Sequence, residues 1–220
     1  MPLIQHTLLS TGAGVWIWHL TETQKDFERF LSPDDFAEIL RLYPHDTRRR
    51  EKMATRCLLD ALQPGHRIDI QYDELGAPGL NGRDGHISIS HCRTHIGLLY
   101  HPLERCGLDL EEISPRVMKI APRFLNEVEK SWIRPEKELE DTTLVWSTKE
   151  ALFKTIGGGG IHFAAELIVY EPVFTYPMEG DGEAHYRGAQ GEKAFVYQFK
   201  YLDGVLLVHT IAKRTKSDAP

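Results

Sequence analysis

Two periods of apolar residues alternate along this chain, and the switches between them predict its elements. Val15 to Leu20 is dense in aromatic and aliphatic residues at strand spacing and predicts an opening strand. Ser32 then precedes Pro33, Asp34 and Asp35, which predicts a helix with Ser32 as N-cap, proline at its first position and acids in its first turn. Pro44 interrupts, and Asp46 or Thr47 is read as the cap of a longer helix that runs to about Leu62, where Gln63, Pro64 and Gly65 stop it. Met53, Cys57, Leu58 and Leu62 recur on that helix near its period, which leaves part of the cluster Arg48, Arg49, Arg50, Lys52 and Arg56 on another face.

Arg67 to Tyr72 reads as a strand, the glycine-rich run from Gly76 to Gly85 as a loop, and His86 to Ser90 as a strand that ends at His91. On that strand Ile87 and Ile89 point one way, Ser88 and Ser90 the other. Ile96 to Tyr100 and Cys106 to Leu110 read as further strands, Val117 to Ile133 as helical with a break at Pro122, and Thr142 to Ile156 as a long helix ended by Gly157 to Gly160. The last third is β-rich, with a strand at Leu167 to Tyr170 and a hairpin of Ala194 to Tyr201 and Val205 to Ala212 that turns at Asp203 and Gly204. Strand, helices, strands thus occurs twice, over 1–103 and 104–220, and the chain reads as α+β in two halves.

Composition narrows the class. With 220 residues, 41% apolar and 26% charged, the chain can bury a sizeable core, and no apolar run approaches the ~20 residues that span a bilayer. The first eighteen residues lack a basic start and carry only a short apolar run, which argues against a secretory signal. Cys57, Cys92 and Cys106 are widely spaced with no CxxC, the usage of reduced thiols, so the expected compartment is the cytoplasm. A formal charge of -6 argues against wholesale nucleic-acid binding, and the basic tail, Lys213, Arg214 and Lys216, reads as a solvated end.

The candidate chemistry lies in two stretches. In VWSTKEALFK, Glu150 and Lys154 are four apart and leave one face of a helix, with Trp146 a turn earlier. Alone, that is a solvated ion pair worth about 0.3 kcal/mol. In GLDLEE, Asp109 and Glu111 are two apart on a strand and face one side, while Leu108 and Leu110 face the other. Two hard oxygen ligands on one face suit Mg²⁺, with Glu150 available as a third; the alternative is an acidic strand end in water. Buried paired carboxylates need a cation or a proton. His91, Cys92, His95, His101 and Cys106 could ligate zinc, but their spacing is wrong for a structural zinc site. Ser90 and His91 face apart as strand neighbours, so they suit hydrogen bonding to a phosphate or ribose better than a nucleophile–base pair. Gly157 to Gly160 follow a helix rather than precede one, which makes them a helix stop and not a phosphate loop.

ISISH, GLDLEE and WSTKEALFK, in that order, resemble the 4'-phosphopantetheinyl transferases, specifically the monomeric, surfactin-synthetase-activating type. Gly76 and Pro78 match the family's turn, Ser90 and His91 its strand end, Gly107, Asp109 and Glu111 its metal motif, and Trp146, Ser147, Lys149, Glu150 and Lys154 its last motif. The resemblance implies a pseudo-dimer of two similar α/β halves with coenzyme A in the cleft between them. Residues 1–103 would hold the 3'-phosphate side, and residues 104–220 the Mg²⁺ site and the carrier-protein side. It implies Mg²⁺ on Asp109, Glu111 and Glu150, Glu150 orienting or deprotonating a carrier serine, and Lys154 on the pyrophosphate. It also implies Ser90 and His91 at the 3'-phosphoadenosine end, with Arg49 and Arg56 chosen from the arginine-rich helix for the 3'-phosphate.

The implied activity is that of a holo-acyl-carrier-protein synthase: transfer of the 4'-phosphopantetheine arm to an apo acyl or peptidyl carrier protein with release of 3',5'-ADP, by a cytoplasmic monomer without nucleic-acid or membrane partners. Arg116 to Leu125 mixes cations with apolar residues and is a candidate carrier-docking segment. Ala77 stands where the family often has a lysine, with Arg83 or Arg93 as substitutes, and Cys92 where it often has a serine. The alternatives are a Mg²⁺-dependent phosphohydrolase using the same carboxylates and a non-catalytic module for coenzyme A or carrier binding.

Overall fold

The computed structural model describes residues 3–9, 12–157, 159–176, 178–189 and 191–212. Its first half runs β1 (Leu3–Leu8), β2 (Gly14–His19), a 3-10 turn over Gln24–Arg29, α1 (Pro33–Leu42), α2 (Asp46–Leu62), β3 (Asp69–Tyr72), β4 (Pro78–Asn81), β5 (His86–His91) and β6 (His95–His101). The second half runs β7 (Cys106–Glu112), α3 (Arg116–Ile120), α4 (Glu127–Trp132), α5 (Glu138–Ile156), α6 (Phe163–Glu166), β8 (Leu167–Val169), β9 (Val173–Tyr176), β10 (Glu179–Gly188), β11 (Gly191–Leu202) and β12 (Val205–Ile211).

Most predicted elements stand where their patterns put them. Ser32 caps α1, its hydroxyl accepting from the Asp35 N–H. The break at Pro122 separates α3 from α4 through a 3-10 turn over Ala121–Arg123. Two boundaries differ: α2 starts at Asp46 after His45, which makes no side-chain cap, and α5 starts at Glu138, four residues before the predicted Thr142. Sequence reading also passed over β1, β4, β9 and β10. The basic tail from Lys213 onward and Gly158 lie outside the described residues.

The strands form two sheets, β1-β2-β6-β5-β4-β3 and β7-β12-β11-β10-β8 with β9 on β10. All ladders among the described residues are antiparallel. Setting β1 and β9 aside, β2-β6-β5-β4-β3 and β7-β12-β11-β10-β8 have the same order: in each, the first strand feeds helices and then pairs with the last strand.

Alternation on the strands sorts the core into layers. Trp16, Trp18, Ile87, Ile96 and Leu98 face α2 and pack with Met53, Leu58 and Leu62. The opposite face, with Val15, Ile17 and Leu99, meets Leu108, Leu110, Val205 and Leu207 of the second sheet. The far face of that sheet, with Leu206, Val208, Tyr197 and Phe199, buries Leu144, Val145 and Leu152 of α5. The stack is helix, sheet, sheet, helix. Since β7 turns its even-numbered residues to the first sheet, Asp109 and Glu111 face α5.

Candidate active site

The second half's site begins with an approach only glycine permits. A Cβ at Gly107 would lie 1.9 Å from the backbone oxygen of Ala151, so glycine at this position lets α5 settle onto β7. That contact brings one stripe of α5 over the β7 carboxylates. Ser147 Oγ donates to Asp109 Oδ2 at 2.8 Å, and Trp146 Nε1 donates to Glu111 Oε2 at 3.2 Å. From the other half, Ser90 Oγ donates to Asp109 Oδ1 at 3.0 Å while accepting the Leu110 N–H at 3.1 Å. Ser88 Oγ likewise accepts the Leu108 N–H at 2.9 Å, so two β5 hydroxyls satisfy the open edge of β7.

Lys154 completes the group around Asp109. Its ammonium stands 2.9 Å from Oδ1 and also donates to Leu108 O at 2.8 Å and Ser90 Oγ at 3.3 Å. Glu150, one turn earlier on the same helix, is not in that network: among the described residues it makes neither a hydrogen bond nor an ion pair. Burial, then the charge of Asp109, then that of Glu111 raise the Glu150 carboxyl to about 7, against the pull of Lys154. Burial and the Asp109 charge raise Glu111 as well, with the Trp146 bond opposing. These three carboxylates therefore feel one another, which is the condition a divalent cation relieves. Their hard oxygens fit Mg²⁺ in kind. Among the described residues, however, no three acidic, imidazole or thiol groups converge closely enough to form a ready-made metal site, and Lys154 occupies Asp109 Oδ1.

Beside this group opens a cleft of about 710 Å³ lined from both halves: Arg48, Lys52 and Thr55 of α2, Gly76 to Gly79, Ser88 and His91, and Glu150, Phe153 and Lys154 of α5. Its cations, Arg48, Lys52, Arg105 and Lys154, outnumber its acids, Glu51, Asp73 and Glu150, so the wall suits an anionic ligand. His91 is exposed toward it, with Nε2 3.7 Å from Glu51. Desolvation, followed by the charges of Arg48 and Lys154, holds its imidazole below the usual value against the attraction of Glu51.

The sequence-chosen residues therefore divide. Asp109, Glu111, Glu150, Lys154, Ser90 and His91 are brought into one region, but Ser90 is buried at 5% exposure and bonds Asp109 and β7 rather than the cleft. Arg49 and Arg56 face elsewhere. Arg49 donates to Tyr43 O and Leu40 O, closing the end of α1, and Arg56 is buried against Asp60, Asp69 and Ile68 O. Of the proposed substitutes near Ala77, Arg83 lies over the Tyr100 ring and donates to Gln63, and Arg93 pairs with Glu112. Arg48, Glu51, Lys52 and Thr55 form the cleft-facing stripe of α2, a spacing of i, i+3, i+4, i+7 that identifies one face once the apolar face is fixed.

Lys149 matches the last family motif, and the structure supplies the role that the sequence left open. It is fully buried, 2.8 Å from Glu129, itself fully buried, and donates to Phe124 O and Phe163 O. Glu129 also accepts from the N–H groups of Asn126 and Val169. This pair ties α4, β8 and the approach to α6 to the helix that carries Glu150. In Arg116 to Leu125, Val117, Ala121 and Phe124 turn into the core while Arg116, Lys119 and Arg123 stay exposed.

A family model described as "4'-phosphopantetheinyl transferase superfamily" matches residues 105–172, which hold both carboxylate stretches. Over 115 residues the chain is 30% identical to the 4'-phosphopantetheinyl transferase gsp of Aneurinibacillus migulanus, covering 50% of this chain and 47% of that one. It is 24% identical over 147 residues to the 4'-phosphopantetheinyl transferase Sfp of Bacillus subtilis, covering 63% and 65%, respectively. It is 32% identical over 126 residues to the 4'-phosphopantetheinyl transferase AcpT of Salmonella typhi, covering 52% and 62%. The matches span between about half and just under two thirds of these relatives' lengths.

Proposed function

Since the chain belongs to the 4'-phosphopantetheinyl transferase superfamily, we propose that it moves the 4'-phosphopantetheine arm of coenzyme A onto a serine of an apo acyl or peptidyl carrier protein, acting as a monomeric enzyme of the holo-acyl-carrier-protein synthase kind in the cytoplasm. The observation that carries this reading is Glu150, half-buried within the electrostatic reach of Asp109 and Glu111 and lining, with Lys154, a cleft whose other cations are Arg48, Lys52 and Arg105.

In this reading the 3'-phosphoadenosine end of coenzyme A lies along the α2 and β5 wall, with Arg48, Lys52 and His91 toward its 3'-phosphate. Arg49 and Arg56 support that wall from behind through their backbone and carboxylate bonds. Asp109, Glu111 and Glu150 would hold Mg²⁺, which when bound offsets negative charge on the pyrophosphate oxygens. The carrier serine oxygen attacks the phosphorus that bears the pantetheine arm. The new O–P bond forms as the bond to the bridging oxygen breaks, and 3',5'-ADP leaves. Glu150 takes the serine proton. Lys154, one turn on, supplies a point charge to the leaving pyrophosphate oxygens. Trp146 and Ser147 keep Glu111 and Asp109 aimed by one hydrogen bond each.

The shared strand order supports reading the chain as a pseudo-dimer divided at 103/104, and the exposed Arg116, Lys119 and Arg123 support an acidic carrier surface docking beside α3. The test is a panel of apo carrier proteins incubated with coenzyme A and Mg²⁺ and weighed for the added arm. Gain of the arm on a serine of at least one carrier is the expected result. A folded preparation that binds coenzyme A and modifies no carrier in a broad panel overturns it.

A further inference from the structure

Lys154 does more in this structure than approach Asp109. An ammonium has three donors, and all three are used, on Asp109 Oδ1, Leu108 O and Ser90 Oγ. Its side chain is 27% exposed, lines the cleft, and crosses from α5 to the open edge of β7. Asp109 thereby already has a cation on one oxygen and the Ser147 hydroxyl on the other. Asp109 and the carboxylates near it are thus neutralised in part by Lys154.

Resting on the proposed function, we propose that Lys154 is the resident counter-cation of the metal-free site: it holds Asp109 until a divalent ion and a pyrophosphate arrive together, and then passes to the phosphate. Counted formally, Asp109, Glu111 and Glu150 bring three negative charges and Lys154 one positive. A divalent ion arriving alone meets a cation on the oxygen it needs. The same ion arriving with a pyrophosphate gives that cation an anionic destination a side-chain swing away. Lys154 therefore makes the two ligands cooperative, and by linkage each strengthens the other by the same factor. A purely structural crosslink between α5 and β7 would use the same bonds but would not couple the ligands.

The experiment titrates Mn²⁺ into the full chain, following free Mn²⁺ by electron paramagnetic resonance, with and without coenzyme A. In the wild type, coenzyme A is expected to tighten Mn²⁺ binding by about tenfold, a usual strength for coupled sites. In Lys154→Met, Mn²⁺ alone is expected to bind about tenfold tighter than to the wild type, and coenzyme A to add little. Lys154→Gln, which keeps a polar group for Leu108 O, should behave in the same way. Folded variants that bind Mn²⁺ alone no more tightly than the wild type overturn the proposal, as does loss of the folded state in both, which marks a crosslink. Asp109→Asn separates the two levels. If it abolishes Mn²⁺ binding while Lys154→Met leaves it unchanged, the counter-cation role alone fails. If Mn²⁺ binding with coenzyme A survives Asp109→Asn, the carboxylate reading of the site fails with it.

Discussion

The ammonium of Lys149 lies 2.8 Å from the Glu129 carboxylate with both side chains wholly buried. Each charge is desolvated and each is satisfied, since Lys149 reaches two further carbonyls and Glu129 accepts two backbone N–H groups. Burial pulls the lysine below its usual value, and Glu129 pulls it back. Breaking such a pair strands a charge, whereas replacing both members strands none. Lys149→Met is therefore expected to cost about 3–5 kcal/mol in urea unfolding, and Lys149→Met with Glu129→Gln to recover a good part of it. A single variant as stable as the wild type would show that the pair does not anchor α5.

Glu150 makes a prediction of opposite sign for stability and activity. Its carboxyl is raised in the folded protein, from 4.5 to about 7, so the protonated form is the one folding favours. The associated stability is whole below pH 4.5 and is lost as pH rises through about 7. Glu150→Gln keeps the shape without the charge. Thermal unfolding should then show the variant gaining on the wild type as pH rises from 5 to 8, by roughly 1–3 kcal/mol, while carrier modification is lost. A variant that is both active and no more stable at pH 8 contradicts the assigned role.

His209 gives the molecule an acid limit. It sits on β12 at 8% exposure, neither ring nitrogen has a partner among the described residues, and burial pushes its imidazole down to about 4. The neutral ring is favoured on folding, so the stability is present above pH 6.5 and drains as pH falls toward about 4. The loss amounts to about 2–4 kcal/mol across that window. His209→Leu should flatten the acid side of the stability curve, and an unchanged pH slope in the variant would place the titrating group elsewhere.

The arginine-rich helix separates binding from folding. Arg48 lines the cleft with its side chain 46% exposed, whereas Arg56 is 8% exposed and holds Asp60, Asp69 and Ile68 O. Arg48→Ala is expected to weaken coenzyme A binding about tenfold, the loss of one charged hydrogen bond, with little change in unfolding. Arg56→Ala should instead cost about 2–4 kcal/mol of stability, because it leaves buried acceptors unpaired. Isothermal titration and urea unfolding of both variants decide the assignment, and the reverse pattern would restore Arg56 to the ligand.

How much of this was legible in sequence depended on which force set each feature. Strong local signals survived intact. Ser32 and Pro33 started α1, and the alternation of Leu108 and Leu110 with Asp109 and Glu111 assigned the faces of β7. β10 was hidden because Gly180 and Gly182 interrupt its alternation of apolar and polar residues. Their missing side chains leave room for the Phe199 and Tyr197 rings of β11, whose atoms a Cβ would meet at 2.9 and 2.4 Å. β4 was hidden by the same composition in Gly79 and Pro78. At the site, residue types marked the carboxylates, but their partners came from tertiary contact. Lys154 pairs with Asp109, 45 residues away, rather than with Glu150 on its own helix. Arg49 and Arg56 were chosen for charge alone, and their roles follow from what their guanidinium groups can reach.

The central claim is that the carboxylates beside the cleft serve transfer of the pantetheine arm to a carrier serine rather than cleavage of coenzyme A by water. The most direct measurement is the 3',5'-ADP released per carrier serine modified, in one reaction, with and without the apo carrier. A ratio of one with carrier, no release without it, and loss of both in Asp109→Asn is the predicted result. Release of 3',5'-ADP or inorganic phosphate at the same rate without any carrier would contradict it and make the protein a phosphohydrolase.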